Sequence, residues 1–159
     1  MPQAPRHTGF TLIEILVALA ILAVLAAITL VNLGKPQTTA SINGTVDALL
    51  ADIKSQQQLA MSGDEGGSGS QQAQGLLFTS ADYTLFAGDT FNAGDSNNFT
   101  VAPGSPISFG TTLPDNTLQF AKSSGEVLSF DAGHNTITVN ANGSSQTISI
   151  NRFGTVSLD

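Results

Sequence analysis

The chain has 159 residues, of which 11% are charged, and its five basic and twelve acidic side chains give a net charge of −7. That length suits a single domain and excludes a multidomain enzyme. The acidic balance excludes a footprint for phosphate backbones over the whole chain, so nucleic acid is not a favoured partner. The absence of cysteine excludes a disulfide scaffold, a thiolate metal site and a thiol nucleophile.

The first element is an apolar run over residues 10–33, interrupted by four polar residues: Thr11, Glu14, Thr29 and Asn32. As a helix it would span about 36 Å, more than the roughly 30 Å hydrocarbon core of a bilayer. It has no polar face, which favours a transmembrane helix over a helix buried in a small soluble core. Arg6 and His7 precede the run and favour a cytoplasmic N terminus, with the rest of the chain translocated.

Glu14 places a carboxylate five positions into this run. A charged group at the centre of a membrane helix costs about 2.5–3.5 kcal/mol, and such a residue is by default functional, with a partner. Close to a helix N terminus the cost falls, because the helix dipole favours negative charge there. Two interpretations therefore stand side by side: a glutamate that reaches the membrane interface, and a glutamate that pairs with a cation.

Residues 9–14 read Gly-Phe-Thr-Leu-Ile-Glu and are followed by an Ile/Leu/Val/Ala run. This resembles the prepilin-type cleavage and methylation motif of type IV pilins and type II secretion pseudopilins. The resemblance implies that a prepilin peptidase cuts between Gly9 and Phe10 and methylates the new amino terminus of Phe10. The apolar helix is then retained, and Glu14 becomes the fifth residue of the mature chain, where it neutralises the terminal amine of a neighbouring subunit.

The same resemblance implies a location and a set of partners. The chain would sit in the bacterial cytoplasmic membrane as a single-pass protein, with its C-terminal domain outside the cytoplasm, and then enter a periplasmic or extracellular filament. Its partners would be other pilin or pseudopilin subunits, the prepilin peptidase, the inner-membrane assembly platform and, before assembly, membrane lipid. No cofactor and no catalysed reaction are implied. One departure is Val31, which stands where many family members have a kinking proline.

The pattern divides the chain into a leader (1–9), a transmembrane helix (10–33), an amphipathic helix (34–62), a Gly/Ser/Gln-rich linker (63–75) and an antiparallel β domain (76–159). In the second helix the apolar residues recur at helical spacing, and Gly63 is the stop signal. These apolar residues are Ile42, Val46, Leu49, Leu50, Ile53 and Ala60. We predict an α+β fold in which a long N-terminal helix packs on the C-terminal sheet domain, as in pilins.

The β domain is predicted from short runs with alternating polarity. The predicted strands are Leu76–Thr79, Tyr83–Ala87, Ile107–Thr111, Thr117–Ala121, Glu126–Phe130, Thr136–Asn140, Gln146–Asn151 and Gly154–Leu158. Asn142 and Gly143 give a hairpin signal between two of them. The predicted core aromatic residues are Phe78, Phe86, Phe109, Phe120 and Phe130.

Two segments of the β domain are similar to the GspH/FimT family of minor pseudopilins and minor pilins. They are residues 75–78 together with 83–86, and residues 148–156. Some FimT-like members take up DNA through a basic C-terminal patch, which makes a DNA-binding minor pilin the alternative function. The C-terminal part holds only Lys54, Lys122 and Arg152 as basic residues, so this alternative is the weaker one.

Two further features are weighed for chemistry. The loop over residues 88–98 contains Asp89 and Asp95, oxygen ligands of the kind that calcium accepts, although their spacing does not match an EF-hand loop. His134 lies in a turn-like segment with Asp131, without a second histidine nearby in the sequence. Aspartate and asparagine are common in plain turns, so we regard Asp89 and Asp95 as weak metal candidates and expect no catalytic site.

Overall fold

The computed structural model describes residues 10–30, 34–65 and 68–159. The chain divides into two compact units, Met1–Gln37 and Thr38–Asp159. Helix α1, Leu12–Leu30, belongs to the first unit, and helix α2, Gly34–Ser62, lies mostly in the second. The predicted leader and Val31, the position of the absent proline, lie outside the described residues.

Helix α2 occupies the range of the predicted amphipathic helix. Five of the six predicted apolar residues are buried, and Leu50 packs partly buried against the same core. The helix ends at Ser62, and Gly63 follows with φ 76°, a left-handed conformation that glycine adopts without steric cost. The apolar stripe of α2 therefore faces the β domain, as the helical spacing predicts.

Eight strands form two four-stranded antiparallel sheets. The strands are β1 Gln74–Phe78, β2 Tyr83–Ala87, β3 Phe99–Val101, β4 Ser108–Thr111, β5 Thr117–Phe120, β6 Thr136–Ala141, β7 Ser144–Ile150 and β8 Val156–Leu158. The first sheet has the order β3-β2-β1-β5, and the second has the order β4-β6-β7-β8. The predicted α+β fold, with a helix packed on an antiparallel β domain, is confirmed.

The hairpin between β6 and β7 has the two-residue loop that its sequence predicts. Ala141 pairs with Ser144, so only Asn142 and Gly143 make the turn. Both have positive φ, 46° and 80°, which matches the right-handed twist of the two strands. This turn fixes the register in which Ile137 and Ile148 meet as fully buried partners.

One apolar core joins α2 to both sheets. It includes Leu49 and Ile53 from the helix, Leu118 and Phe120 from β5, and Ile148 from β7, all of them 0% exposed. Three aromatic rings complete it, with centroids 5.5–6.1 Å apart: Phe78, Tyr83 and Phe109. This shared core means that α2 and the two sheets form a single cooperative unit.

Phe86 is buried as predicted, but outside this central cluster. Its ring lies over Gly75, its cross-strand partner, and a Cβ on Gly75 would come within 2.7 Å of the ring. Phe91 covers the ring edge-on, with centroids 5.4 Å apart. Glycine inside β1 is therefore explained by the close approach of an aromatic ring.

One strand prediction was wrong, and one observed strand was not predicted. Glu126–Phe130 forms no strand, only a single bridge between Phe120 and Val127, because Ser129 turns the chain with φ 53°. Phe130 is consequently half-buried instead of a core residue. Conversely, β3 was missed, since it is only three residues long and pairs with β2 alone at the edge of its sheet.

Candidate assembly and processing site

The N-terminal end of α1 is built by a threonine cap. Phe10 and Thr11 precede the helix, which begins at Leu12. The backbone N–H of Glu14 donates to Thr11 Oγ1 at 3.3 Å and to the Thr11 carbonyl at 3.1 Å. A threonine followed three residues later by glutamate is the sequence of a capping box. The cap places Glu14 in the first helical turn, where the helix dipole favours a negative charge.

Apolar side chains are exposed along α1. Phe10 is 80% exposed and Leu12 81% exposed, and every other described large apolar residue up to Leu25 is at least half exposed. Exposed apolar surface of this extent is the signature of a surface that binds lipid or protein. Glu14 is the one charged residue in the helix sequence, so a partner covering this surface would also have to accommodate its carboxylate.

Of the sequence-predicted site residues, the structure places two in this segment. Phe10 and Glu14 lie four positions apart across the start of α1, and both are exposed. Gly9, the residue before the predicted cleavage point, lies outside the described residues. Over the described ranges, no helix combines the length and the sustained apolar character that a membrane crossing requires.

The two weak metal candidates, Asp89 and Asp95, lie in a loop in which side-chain oxygens accept hydrogen bonds from backbone N–H groups of the same loop. Asp95 Oδ1 accepts from the backbone N–H of Asn97 at 2.9 Å, and Asn92 Oδ1 accepts from the N–H of Gly94 at 3.0 Å. These are side-chain turns of the kind that Asp and Asn make in loops. Within residues 10–30, 34–65 and 68–159, no group of three His, Cys, Asp or Glu side chains could hold a metal ion. The assignment of Asp89 and Asp95 as weak metal candidates stays a prediction.

His134 belongs to the turn in which the sequence places it. Its Nδ1 lies 2.7 Å from Asp131 Oδ2, and both side chains are more than half exposed. The pKa of Asp131 is lowered, first by the backbone N–H of Gly133 and then by the hydrogen bond with His134. The pair closes a surface turn.

The three basic residues Lys54, Lys122 and Arg152 lie on separate segments of the described structure. The Arg152 guanidinium lies 3.7 Å from Glu126, and that carboxylate offsets its charge. Lys54 lies on α2 and Lys122 in the turn after β5. DNA binding remains a prediction that this arrangement does not favour.

Two polar residues of α2, Asp52 and Gln57, have roles that the sequence did not predict. The Tyr83 hydroxyl donates to Asp52 Oδ2 at 2.7 Å, and its pKa is raised, first by burial and then by this hydrogen bond. Gln57 Nε2 donates to the carbonyls of Gly125 and Phe153 at 3.0 and 2.7 Å. Gln56, by contrast, is buried with an unpaired amide oxygen. Three adjacent glutamines in a sequence give no signal of which one is bonded.

Comparison with protein families gives a match at the N terminus. Residues 5–30 match a family model described as the prokaryotic N-terminal methylation motif. The match covers the predicted cleavage point and α1 but none of the β domain. It supports a type IV pilin-like protein that prepilin peptidase processes and that assembles with other pilins, a structural class and not an enzymatic one. No curated protein and no solved structure matches the chain.

Proposed function

We propose that this chain is a minor pilin or pseudopilin, a structural subunit of a type IV pilus or type II secretion filament. The observation that carries the proposal is the coincidence of the methylation motif with an exposed apolar helix whose sequence contains one carboxylate. The segments similar to GspH/FimT proteins support the minor-subunit assignment. The subunit is held in the cytoplasmic membrane by residues 10–33 until the assembly platform extracts it.

In this proposal, prepilin peptidase cuts between Gly9 and Phe10 and methylates the new amine. Phe10 and Thr11 precede the first helical turn, which leaves the bond to be cut outside α1. Glu14 then pairs with the terminal amine of the adjacent subunit. Each of these two charges is costly in an apolar bundle, and a neighbour that supplies the opposite charge removes both penalties together. The pair therefore selects the stagger between subunits.

The test is mass spectrometry of the full chain expressed with and without an active prepilin peptidase. The expected mature chain begins at Phe10 and carries one methyl group on its amine, whereas the chain made without peptidase keeps residues 1–9. A Gly9→Val variant serves as the matched control and should stay uncut. A mature chain that begins beyond the apolar run, or that retains Met1 in the presence of active peptidase, would contradict the proposal.

A further inference from the structure

A row of apolar residues crosses the first sheet on its core-facing side. Leu118, Leu76, Leu85 and Phe99 are direct cross-strand neighbours, one on each strand from β5 to β3. Directly opposite residues lie on the same face of a sheet. Leu118 and Leu76 are 0% exposed, whereas Phe99 is 64% exposed. The core-facing side of this sheet therefore extends beyond the part that α2 covers.

A groove of about 350 Å³ opens where this cover stops. Leu59 lines it from α2, and Leu85 and Phe99 line it from the sheet. Two buried glutamines also line it, Gln56 from α2 and Gln74 from β1, which are 6% and 3% exposed. The rest of the lining is Asp64, Phe86, Ala87 and Asn97. We call this feature the Gln56–Gln74 groove. All of its residues belong to the unit Thr38–Asp159.

Both glutamines of the groove have an unpaired amide atom. In the part of the chain that the structure describes, Gln56 Oε1 and Gln74 Nε2 are the two buried side-chain atoms without a hydrogen-bond partner. An unpaired buried polar atom costs free energy, and native proteins hold few of them. Because both residues line the same groove, a group bound there can bond to both amides once they turn toward it.

The chemistry of the groove defines what it can take. A carboxamide offers a donor and an acceptor whichever way it is turned, so the two glutamines complement a group that has both. An anionic ligand would meet the exposed Asp64 carboxylate, and any charge seated against the two buried amides would carry a high desolvation cost. Leu59, Leu85 and Phe99 add an apolar surface. An uncharged peptide group with an apolar side chain meets all three conditions.

We propose that the Gln56–Gln74 groove binds an uncharged, extended polypeptide segment of a partner protein. The peptide group of the segment bonds to the two glutamine amides, and its apolar side chain packs on Leu85 and Phe99. The neighbouring strand β3 is an edge strand, whose free side offers main-chain bonds to an extended segment. This edge favours polypeptide over a sugar. The proposal does not depend on how the N terminus is processed.

The first test compares adjacent glutamines for stability. Gln56→Met and Gln74→Met each replace an amide that has one unpaired buried atom with an apolar group of similar volume, so the full chain in detergent micelles should melt at the same or a higher temperature. Gln57→Met is the matched control, one residue along α2, and should melt at a lower temperature because two backbone carbonyls lose their donor. A Gln56→Met variant as destabilised as Gln57→Met would overturn the proposal, because it would give Gln56 a structural role.

The second test measures binding by NMR titration of the full chain with N-acetyl-leucyl-alanine methylamide, a capped and uncharged dipeptide. The side-chain amide signals of Gln56 and Gln74 should shift saturably, while those of Gln57 stay in place. Gln74→Met should weaken binding about tenfold. N-acetylglucosamine is the comparison probe. No saturable shift with the dipeptide, or shifts with the sugar alone, would overturn the proposal.

Discussion

Helix α1 and the β domain use apolar side chains in opposite ways. In α1 the large apolar residues are at least half exposed, and the helix sequence contains one charge. In the β domain the apolar residues alternate with polar ones and meet in one core with α2. The first pattern suits a surface that needs an external apolar environment, and the second suits a domain that buries its own. Substitutions in α1 should therefore change filament assembly, whereas substitutions in the β domain should change the free energy of unfolding.

The largest expected effect separates the regions by stability. Phe120→Ala removes a ring that is 0% exposed, and we expect it to lower the free energy of unfolding by about 3–5 kcal/mol. Ile15→Ala, at a side chain that is 52% exposed, should change it by less than about 0.5 kcal/mol. Denaturation of the full chain in detergent can be followed by the fluorescence of Tyr83, the one tyrosine in a chain without tryptophan. Equal losses of unfolding free energy in the two variants would contradict this difference between α1 and the β domain.

The next effect concerns assembly alone. Glu14→Val should leave membrane insertion and unfolding unchanged but reduce incorporation into filaments at least about tenfold, because the neighbouring amine loses its partner. Immunoblots of sheared filaments against the membrane fraction give the measurement. Glu14→Asp keeps the charge and serves as the control, with a smaller loss. Normal incorporation of Glu14→Val would remove the assembly role from this residue.

A third prediction concerns alkaline pH in the β domain. Burial, together with the hydrogen bond to Asp52, raises the pKa of Tyr83 above its ordinary value of 10.0. The folded chain thus holds this proton more tightly than the unfolded chain, so its contribution is complete below about pH 10 and falls as the pH rises further. Tyr83→Phe should cost about 1 kcal/mol at pH 7 and make the alkaline loss shallower. Urea denaturation between pH 7 and 11, followed by circular dichroism, checks both, and an unchanged alkaline slope in the variant would argue against the assignment.

The smallest effect tests the hairpin turn. Gly143→Ala should cost about 1 kcal/mol through the backbone alone, since φ is 80° and a Cβ would meet nothing within 4 Å. Gly44→Ala in α2 also has open space around its Cβ, at a helical position, and should instead stabilise by up to about 1 kcal/mol. Thermal unfolding of both variants gives the comparison. If both variants lost stability, the positive φ of Gly143 would not explain its loss.

Sequence reasoning was most accurate where the signal is local. The apolar spacing predicted α2, the alternation around residues 136–150 predicted β6 and β7, and Asn142 with Gly143 predicted their turn. It was less accurate where the secondary structure depends on pairing with segments that are distant in the sequence. The predicted strand Glu126–Phe130 has the composition of a strand, but the chain turns at Ser129. Strand β3 is defined by its pairing with β2, a segment that is distant in the sequence. The assignments of Gly9, Phe10 and Glu14 to processing and assembly stay predictions.

The apolar N-terminal helix with its single carboxylate, the motif at residues 9–14, and the change from helical to alternating periodicity can all be read from the sequence, because each depends on residues close together in the chain. Which of three adjacent glutamines bonds to two loops, and which has an unpaired amide atom in a groove, is known only from the fold. The fold also shows that the core-facing row of apolar residues in the first sheet ends at an exposed residue, Phe99. These outcomes depend on segments tens of residues apart in the sequence, and no local pattern specifies them.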